Sequence, residues 1–403
     1  MNFSAANTLK ADSTVQLQQT VYPILFSIAF AHLINDLLQA VIPAAYPILK
    51  ENYNLTFTQI GLITLAYQLA GSLLQPLVGL YTDKRPKPFS QIFGMIFTSL
   101  GIVSLAYAFS FSMIIISVIL VGIGSSIFHP EASRISFLAS GGKRGLAQSI
   151  FQLGGNVGTA IGPLLVALIV VPNSQQYIIW FLVAAVIGLF VLSQIAFWYQ
   201  NHLSLGRTKK AIIELPNLSQ SKIVISVIIL LILIFSKFVY MSSMSSYFTF
   251  YLMEKFNLSV QDAQFHLVLF LASCAAGTLI GGPLGDKFGR KYVIWFSVLG
   301  AAPFTLLLPF VDLFWTGVLS VVIGLVISSA FPAILVYAQE LLPKKHGMVS
   351  GLFYGFAFGM GGLGSALLGS LADQTSITYV YYLCAYLPLI GIIAFFLPNL
   401  KKN

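Results

Sequence analysis

From about Tyr22 onward the chain consists of long apolar runs separated by short polar turns. A helix that crosses a bilayer needs about 20 apolar residues. Twelve runs of this kind lie near 22–48, 57–81, 89–109, 112–138, 145–171, 177–199, 223–253, 261–284, 291–310, 314–342, 346–372 and 377–397. The pattern predicts an all-α membrane protein with twelve transmembrane helices. The longest break, about 200–222, carries His202, Arg207, Lys209, Lys210 and Lys222. It divides the chain into a tail at 1–20, a six-helix bundle at 21–199, a linker at 200–222, a second six-helix bundle at 223–398 and a tail at 399–403.

The two bundles read as copies of one another. Leu49-Lys50-Glu51-Asn52-Tyr53-Asn54-Leu55-Thr56 aligns with Leu252-Met253-Glu254-Lys255-Phe256-Asn257-Leu258-Ser259 at an offset of 203. At an offset of 202, Gly122, Pro130, Gly145 and Gly162 fall on Gly324, Pro332, Gly347 and Gly364. One register held over so much of the chain marks an internal repeat. The expected architecture is therefore two pseudo-symmetric six-helix halves, one of the common plans of secondary transporters.

Composition narrows the class further. Charged residues are 8% of the chain, apolar residues 57%, and mean hydropathy is +0.88. A water-soluble fold could not keep that much apolar surface from water. The net charge of +9 then carries no argument for nucleic acid, and the positions of the cations matter more. With both termini placed in the cytoplasm, 18 of the 21 Lys and Arg residues fall on that side. Only Lys50 and Lys255 face outward, and Lys237 lies inside the seventh run. This asymmetry is what the positive-inside rule expects of a multi-pass protein. The polar first 20 residues lack the pattern of a cleaved signal, so the first apolar run is read as an uncleaved insertion signal. Cys274 and Cys384 sit in apolar runs and imply neither a disulfide framework nor a metal site.

Two loop motifs stand at repeat-related positions. Gly79-Leu80-Tyr81-Thr82-Asp83-Lys84-Arg85 follows the second run, and Gly282-Pro283-Leu284-Gly285-Asp286-Lys287-Phe288-Gly289-Arg290-Lys291 follows the eighth. The second resembles the G-x-L-x-D-x-x-G-R-K loop of the major facilitator superfamily. The first keeps Gly79, Asp83 and Lys84 but replaces the second glycine and basic pair by Pro86-Lys87-Pro88. Gly154, Gly158, Gly162 and Pro163 are similar to the core of that superfamily's antiporter motif, without its later glycine pair (Val166-Ala167). His32-Leu33-Ile34-Asn35-Asp36, Phe128-His129-Pro130-Glu131-Ala132-Ser133-Arg134, 145–152, Ile234-Phe235-Ser236-Lys237 and 337–343 resemble a bacterial drug-export branch of the same superfamily. The resemblance implies the major facilitator fold in a bacterial inner membrane. It also implies a proton-driven antiporter that exports a small anionic drug of the phosphonate type by alternating access, acting as a monomer. Topology alone leaves a second reading open, a proton-coupled importer of a small organic anion or metabolite.

Ionisable groups within a bilayer are costly and mark function by default. His32, Asp36, Gln39 and Pro43 share one face of the first helix, with Asn35 beside them. That face is expected to line an aqueous cavity or, alternatively, to form a static buried network. Asp36, His32 and Glu131 are the proton-coupling candidates. Lys237, two residues from Asp36 in repeat register, suits a phosphonate or carboxylate and is also placed to pair with Asp36. Asn35, Gln39, Gln68, His129, Gln148, Gln152 and Asn156 are the further substrate-binding candidates, and amides at these positions can equally join helix to helix. Asp83, Lys84, Arg85 and Arg134, with Asp286, Arg290, Lys291 and Glu340, are read as two charge networks that gate the cytoplasmic side by latching the two halves. Tyr240, Tyr247 and Tyr251 read as packing residues. No P-loop, cofactor motif, metal-ligand spacing or Ser-His-Asp set appears, so the chain reads as a carrier of small molecules and protons in a lipid bilayer, not an enzyme.

Overall fold

The computed structural model describes residues 19–204, 218–343 and 346–400, and all regular structure among them is helical. Twelve apolar helical segments follow one another: α1 (Tyr22–Tyr53), α2 (Phe57–Thr82), α3 (Ser90–Ala106), α4 (Phe111–Ala139), α5 (Leu146–Val170), α6 (Gln175–Ser204), α7 (Gln220–Phe256), α8 (Val260–Gly281), α9 (Arg290–Phe310), α10 (Leu313–Leu341), α11 (Met348–Gln374) and α12 (Ile377–Phe396). Eleven are long and apolar enough to cross a membrane, and α3 is shorter. The predicted third run, near 89–109, thus overstates its helix by a few residues at its far end, where Tyr107 and Ala108 turn into the next segment.

Local chemistry sets the boundaries. The repeat seen between 49–56 and 252–259 is a repeated helix–helix corner. Asn54 and Asn257 both take the left-handed conformation, with φ of 49° and 54°, and end α1 and α7. Asparagine tolerates that conformation better than most side chains. Two residues later Thr56 and Ser259 accept hydrogen bonds from the backbone N–H of Gln59 and Asp262 and start α2 and α8. Ser110, Ser219, Asp312 and Ser376 cap α4, α7, α10 and α12 in the same way.

Glycine decides which helices meet closely. A Cβ on Gly154 or Gly158 would stand 2.0 Å from the carbonyl oxygen of Ala29 or Leu33, so α5 lies directly on the backbone of α1. On α11, a Cβ at Gly351 would meet Pro76 Cα at 3.1 Å, and one at Gly355 would meet Ser72 O at 2.8 Å. The seam between the first and last six helices therefore runs along α2 and α11, and along α5 and α8. Polar contacts cross it: Asn156 Nδ2 donates to Thr278 Oγ1 at 2.6 Å, and Gln264 Nε2 to Ala44 O at 2.6 Å. Tyr354 OH bridges Gln148 and Gln152 at 2.9 Å each. At the end opposite the chain termini, the Asp373 carboxylate accepts from the backbone N–H of Phe57 and Thr58 at 2.9 and 2.7 Å, clamping α11 to the start of α2. Large apolar side chains such as Phe26, Leu73 and Phe190 face outward, as a lipid-facing surface requires.

These close approaches make a contrast that can be measured. Gly158→Leu forces α1 and α5 apart and costs at least about 1–3 kcal/mol of overpacking; Gly359→Ala, whose Cβ would meet nothing nearer than 3.4 Å, is tolerated. Thermal unfolding of the detergent-purified variants, read against the parent, should show a clearly lowered midpoint for the first alone.

Candidate functional site

A cavity of about 170 Å³ lies in the interior where α1, α4 and α5 face α7, α8, α10 and α11. One wall carries His32, Asp36 and His129, with Gln152, Asn156 and Thr159 of α5. The other carries Lys237, Cys274 and Thr278 among Phe238, Met241, Leu271, Phe331, Tyr354 and Phe358.

The first wall is a directed hydrogen-bond network. His32 Nδ1 lies 2.8 Å from Phe151 O, and its ring stacks on Phe151 with centroids 4.0 Å apart. A carbonyl oxygen only accepts, so this Nδ1 carries the proton. His129 Nδ1 lies 3.1 Å from Ser125 O and donates likewise. Both Nε2 atoms therefore point inward. His32 Nε2 stands 3.2 Å from Asp36 Oδ2, His129 Nε2 stands 3.6 Å from Asp36 Oδ1, and the two nitrogens are 3.3 Å apart. Asp36 Oδ1 also accepts from Asn35 Nδ2 at 3.0 Å and Gln39 Nε2 at 3.3 Å. Gln39 Oε1 in turn accepts from Ser125 Oγ at 3.1 Å and from Tyr67 OH. Gly155 makes room for the cluster, since a Cβ there would lie 2.6 Å from both Asp36 Oδ2 and His32 Nε2. The ligand atoms of His32, Asp36 and His129 lie within 4.8 Å of one another, a set able to hold a cation.

The second wall is different. Lys237 is 4% exposed and has no hydrogen bond or carboxylate partner among the described residues. Its Nζ stands 5.7 and 5.5 Å from the ring centroids of Phe238 and Phe331, at the range of weak cation–π attraction. The sequence reading placed Lys237 within pairing distance of Asp36. The structure differs: the imidazoles of α1 and α4 take the carboxylate, and the ammonium is left facing the cavity.

The remaining candidates are distributed more widely. Gln152 and Asn156 line the cavity, and Gln148 reaches it through Tyr354. Asn35 and Gln39 support Asp36 from behind. Gln68 stands against Gly361 and Gly362 in the α2–α11 seam, away from the cavity. Glu131 is buried, 3.3 Å from Arg134 Nη1, and Arg134 donates to the carbonyls of Thr82 and Gly79 on α2. Arg290 pairs with Glu340 across α9 and α10, Lys291 lies 5.4 Å from the Phe395 ring, and Lys84 and Arg85 are exposed. The side chains of Asp83 and Asp286 lie outside the described residues. These described contacts of the charge networks run within each half, whereas the contacts that cross the seam include those of Asp373, Tyr354, Asn156, Gln264 and Thr64. Tyr247 and Tyr251 are packed, the first donating to Ser365 O at 2.6 Å and the second stacked on Tyr381. Tyr354, Phe331 and Thr278 line the site although the sequence reading passed over them; only their spacing on the inner faces of their helices could have singled them out.

Comparison with known proteins agrees with this geometry. The family model described as Major Facilitator Superfamily matches residues 28–259 and 229–403. The chain is 57% identical over 398 residues to the "Fosmidomycin resistance protein" of Escherichia coli (strain K12), covering 98% of this chain and 96% of that one. It is 45% identical over 404 residues to the "Uncharacterized MFS-type transporter YfnC" of Bacillus subtilis (strain 168), covering 98% of each. The crystal structure of the transporter FucP in the outward conformation superposes with a TM-score of 0.70 at 15% identity, covering 95% of this chain and all of that one. A twelve-segment helical bundle, an interior cavity with one polar wall and a family match over nearly the whole chain lead to one assignment: this protein belongs to the major facilitator superfamily of membrane transporters, and it is not an enzyme.

Proposed function

We propose that this chain exports a small phosphonate-type anion such as fosmidomycin from the bacterial cytoplasm, driven by protons, by alternating access in the inner membrane. The single observation that carries the reading is Lys237, a nearly fully buried ammonium without a counter-ion among the described residues, directed into a cavity of small-molecule size. A buried cation of this kind binds an anion strongly, because the anion supplies the missing partner in a medium of low dielectric. The near-complete alignment with a fosmidomycin resistance protein supports the substrate class. Phe238, Phe331 and Phe358 give the uncharged part of the ligand an apolar surface, and Gln152, Asn156 and Thr278 give it neutral donors. Asp36, with His32, receives the driving proton on the opposite wall, and Glu131, buried beside Arg134 on the helix that carries His129, is the reserve group. The networks around Arg134 and Arg290 stiffen the cytoplasmic ends so that each half moves as a body, and the protein works as a monomer.

Transport distinguishes the roles. Fosmidomycin accumulation in cells with and without the gene, each with and without a proton uncoupler, should be lowered only by the expressed protein and only without uncoupler. Accumulation that falls just as far in uncoupled cells would overturn the proton drive. Lys237→Met should abolish export while leaving thermal stability equal or higher, since it removes an unpaired buried charge. Asp36→Asn should abolish active export while substrate binding stays within a few-fold; unimpaired proton-driven export by Asp36→Asn would exclude it as the coupling group.

Orientation has its own check. Both termini and the loops at 82–88 and 285–291 are assigned to the cytoplasm by the cation asymmetry. A cysteine at position 87 should resist a membrane-impermeant reagent in intact cells and react in inverted vesicles. The opposite pattern would reverse the assignment.

A further inference from the structure

We propose that His32, Asp36 and His129 form a transition-metal site, selective for a dication such as Zn²⁺, on the wall of the cavity opposite Lys237. The proposal rests on the geometry of the three side chains and does not depend on the transport reading.

Both Nδ1 atoms are committed as donors to backbone carbonyls, that of His32 to Phe151 O at 2.8 Å and that of His129 to Ser125 O at 3.1 Å. Ser125 Oγ, 3.2 Å from the same His129 Nδ1, gives its own hydrogen to Gln39 Oε1 and so also acts as an acceptor there. In neutral imidazoles this leaves a bare lone pair on each Nε2. The lone pairs meet 3.3 Å apart, and one faces Asp36 Oδ2 at 3.2 Å. Asn35 and Gln39 donate to the other oxygen, Oδ1, so they orient the carboxylate without covering Oδ2. Three electron-pair donors thus converge with no hydrogen of their own between them. Such an arrangement repels itself unless a cation occupies the centre.

Distance selects the kind of cation. With Zn–N and Zn–O bonds of about 2.0–2.1 Å, two ligands of a tetrahedral centre are about 3.3–3.4 Å apart. The observed 3.2 and 3.3 Å edges match that spacing, and the third, 3.6 Å to Oδ1, leaves the carboxylate free to rotate toward the metal. A single shared proton prefers a heavy-atom separation nearer about 2.7–2.9 Å. Two neutral imidazoles and one carboxylate are also the ligand types that divalent zinc favours, with the fourth position open to the cavity. The outer partners are in place: each ligating imidazole donates its Nδ1–H to a carbonyl, which fixes ring and tautomer as metal-binding histidines require. His32 and Asp36 are one turn apart on α1, and His129 comes from α4, so the site forms only in the folded bundle.

The test uses the detergent-purified full chain, with Zn²⁺ by calorimetry and Co²⁺ by its visible absorption. One metal ion per chain is expected, with the absorption of a four- or five-coordinate Co²⁺. His32→Ala and His129→Ala should each weaken binding by about ten-fold or more, and His266→Ala, at a half-buried position on α8 outside the cavity, should leave it unchanged. Zn²⁺ should raise the unfolding temperature of the parent protein and of Lys237→Met, but not of His129→Ala. That readout covers a variant whose folding is impaired, since it compares each protein with itself. Absence of binding to the parent, or binding that survives both histidine substitutions, would overturn the site and leave the cluster holding a proton only. Anion binding to the metal-free protein, lost in Lys237→Met, reports separately on the transport reading.

Discussion

Charge kept out of water inside a lipid-embedded bundle is the constraint on which the interior depends. Asp36 and Lys237 are both held in the interior of helices that are predominantly apolar, on opposite walls of one cavity. The two are handled differently. Asp36 has two imidazoles and two amides around it, and the second layer of Ser125 and Tyr67 fixes the amide that supports it. Lys237 has two aromatic rings and open cavity. Amide donors hold one oxygen of the Asp36 carboxylate and leave the other facing the two imidazoles, whereas the ammonium, without a carboxylate partner among the described residues, gains most from an arriving anion.

The packing that makes this possible is a matter of missing side chains. Gly154 and Gly158 bring α5 onto the backbone of α1, and Gly155, on the adjoining face, leaves the space in which His32 and Asp36 sit. One short run of small residues therefore both binds two helices and hollows out the site. Without a strong hydrophobic drive between helices in lipid, close backbone approach is what holds them together. Gly351 and Gly355 do the same for α11 against α2. Polar side chains then bridge the seam at several heights, from the Asp373 clamp at one end to Tyr354 nearer the other.

Fold class, the number of helices and the internal repeat were legible in the sequence, because each is written in local periodicity. The corner at Asn54 and Thr56 recurs at Asn257 and Ser259 since the same short-range hydrogen bonds are encoded twice. The inward face of α1 was legible for the same reason, as His32 and Asp36 are one turn apart.

Partner choice was not legible, because it depends on the rotation and depth at which helices distant in the chain come together. Register alone put Lys237 level with Asp36 and suggested a pair; packing instead brought His129, 97 residues from His32, against the carboxylate. Gln68 looks like a cavity amide from its helix face and proves to be seam packing against Gly361 and Gly362. Periodicity determines which residues share a face, but only the tertiary structure decides what that face meets, since a helix rotated by one residue about its axis presents a different set of side chains to the same neighbour.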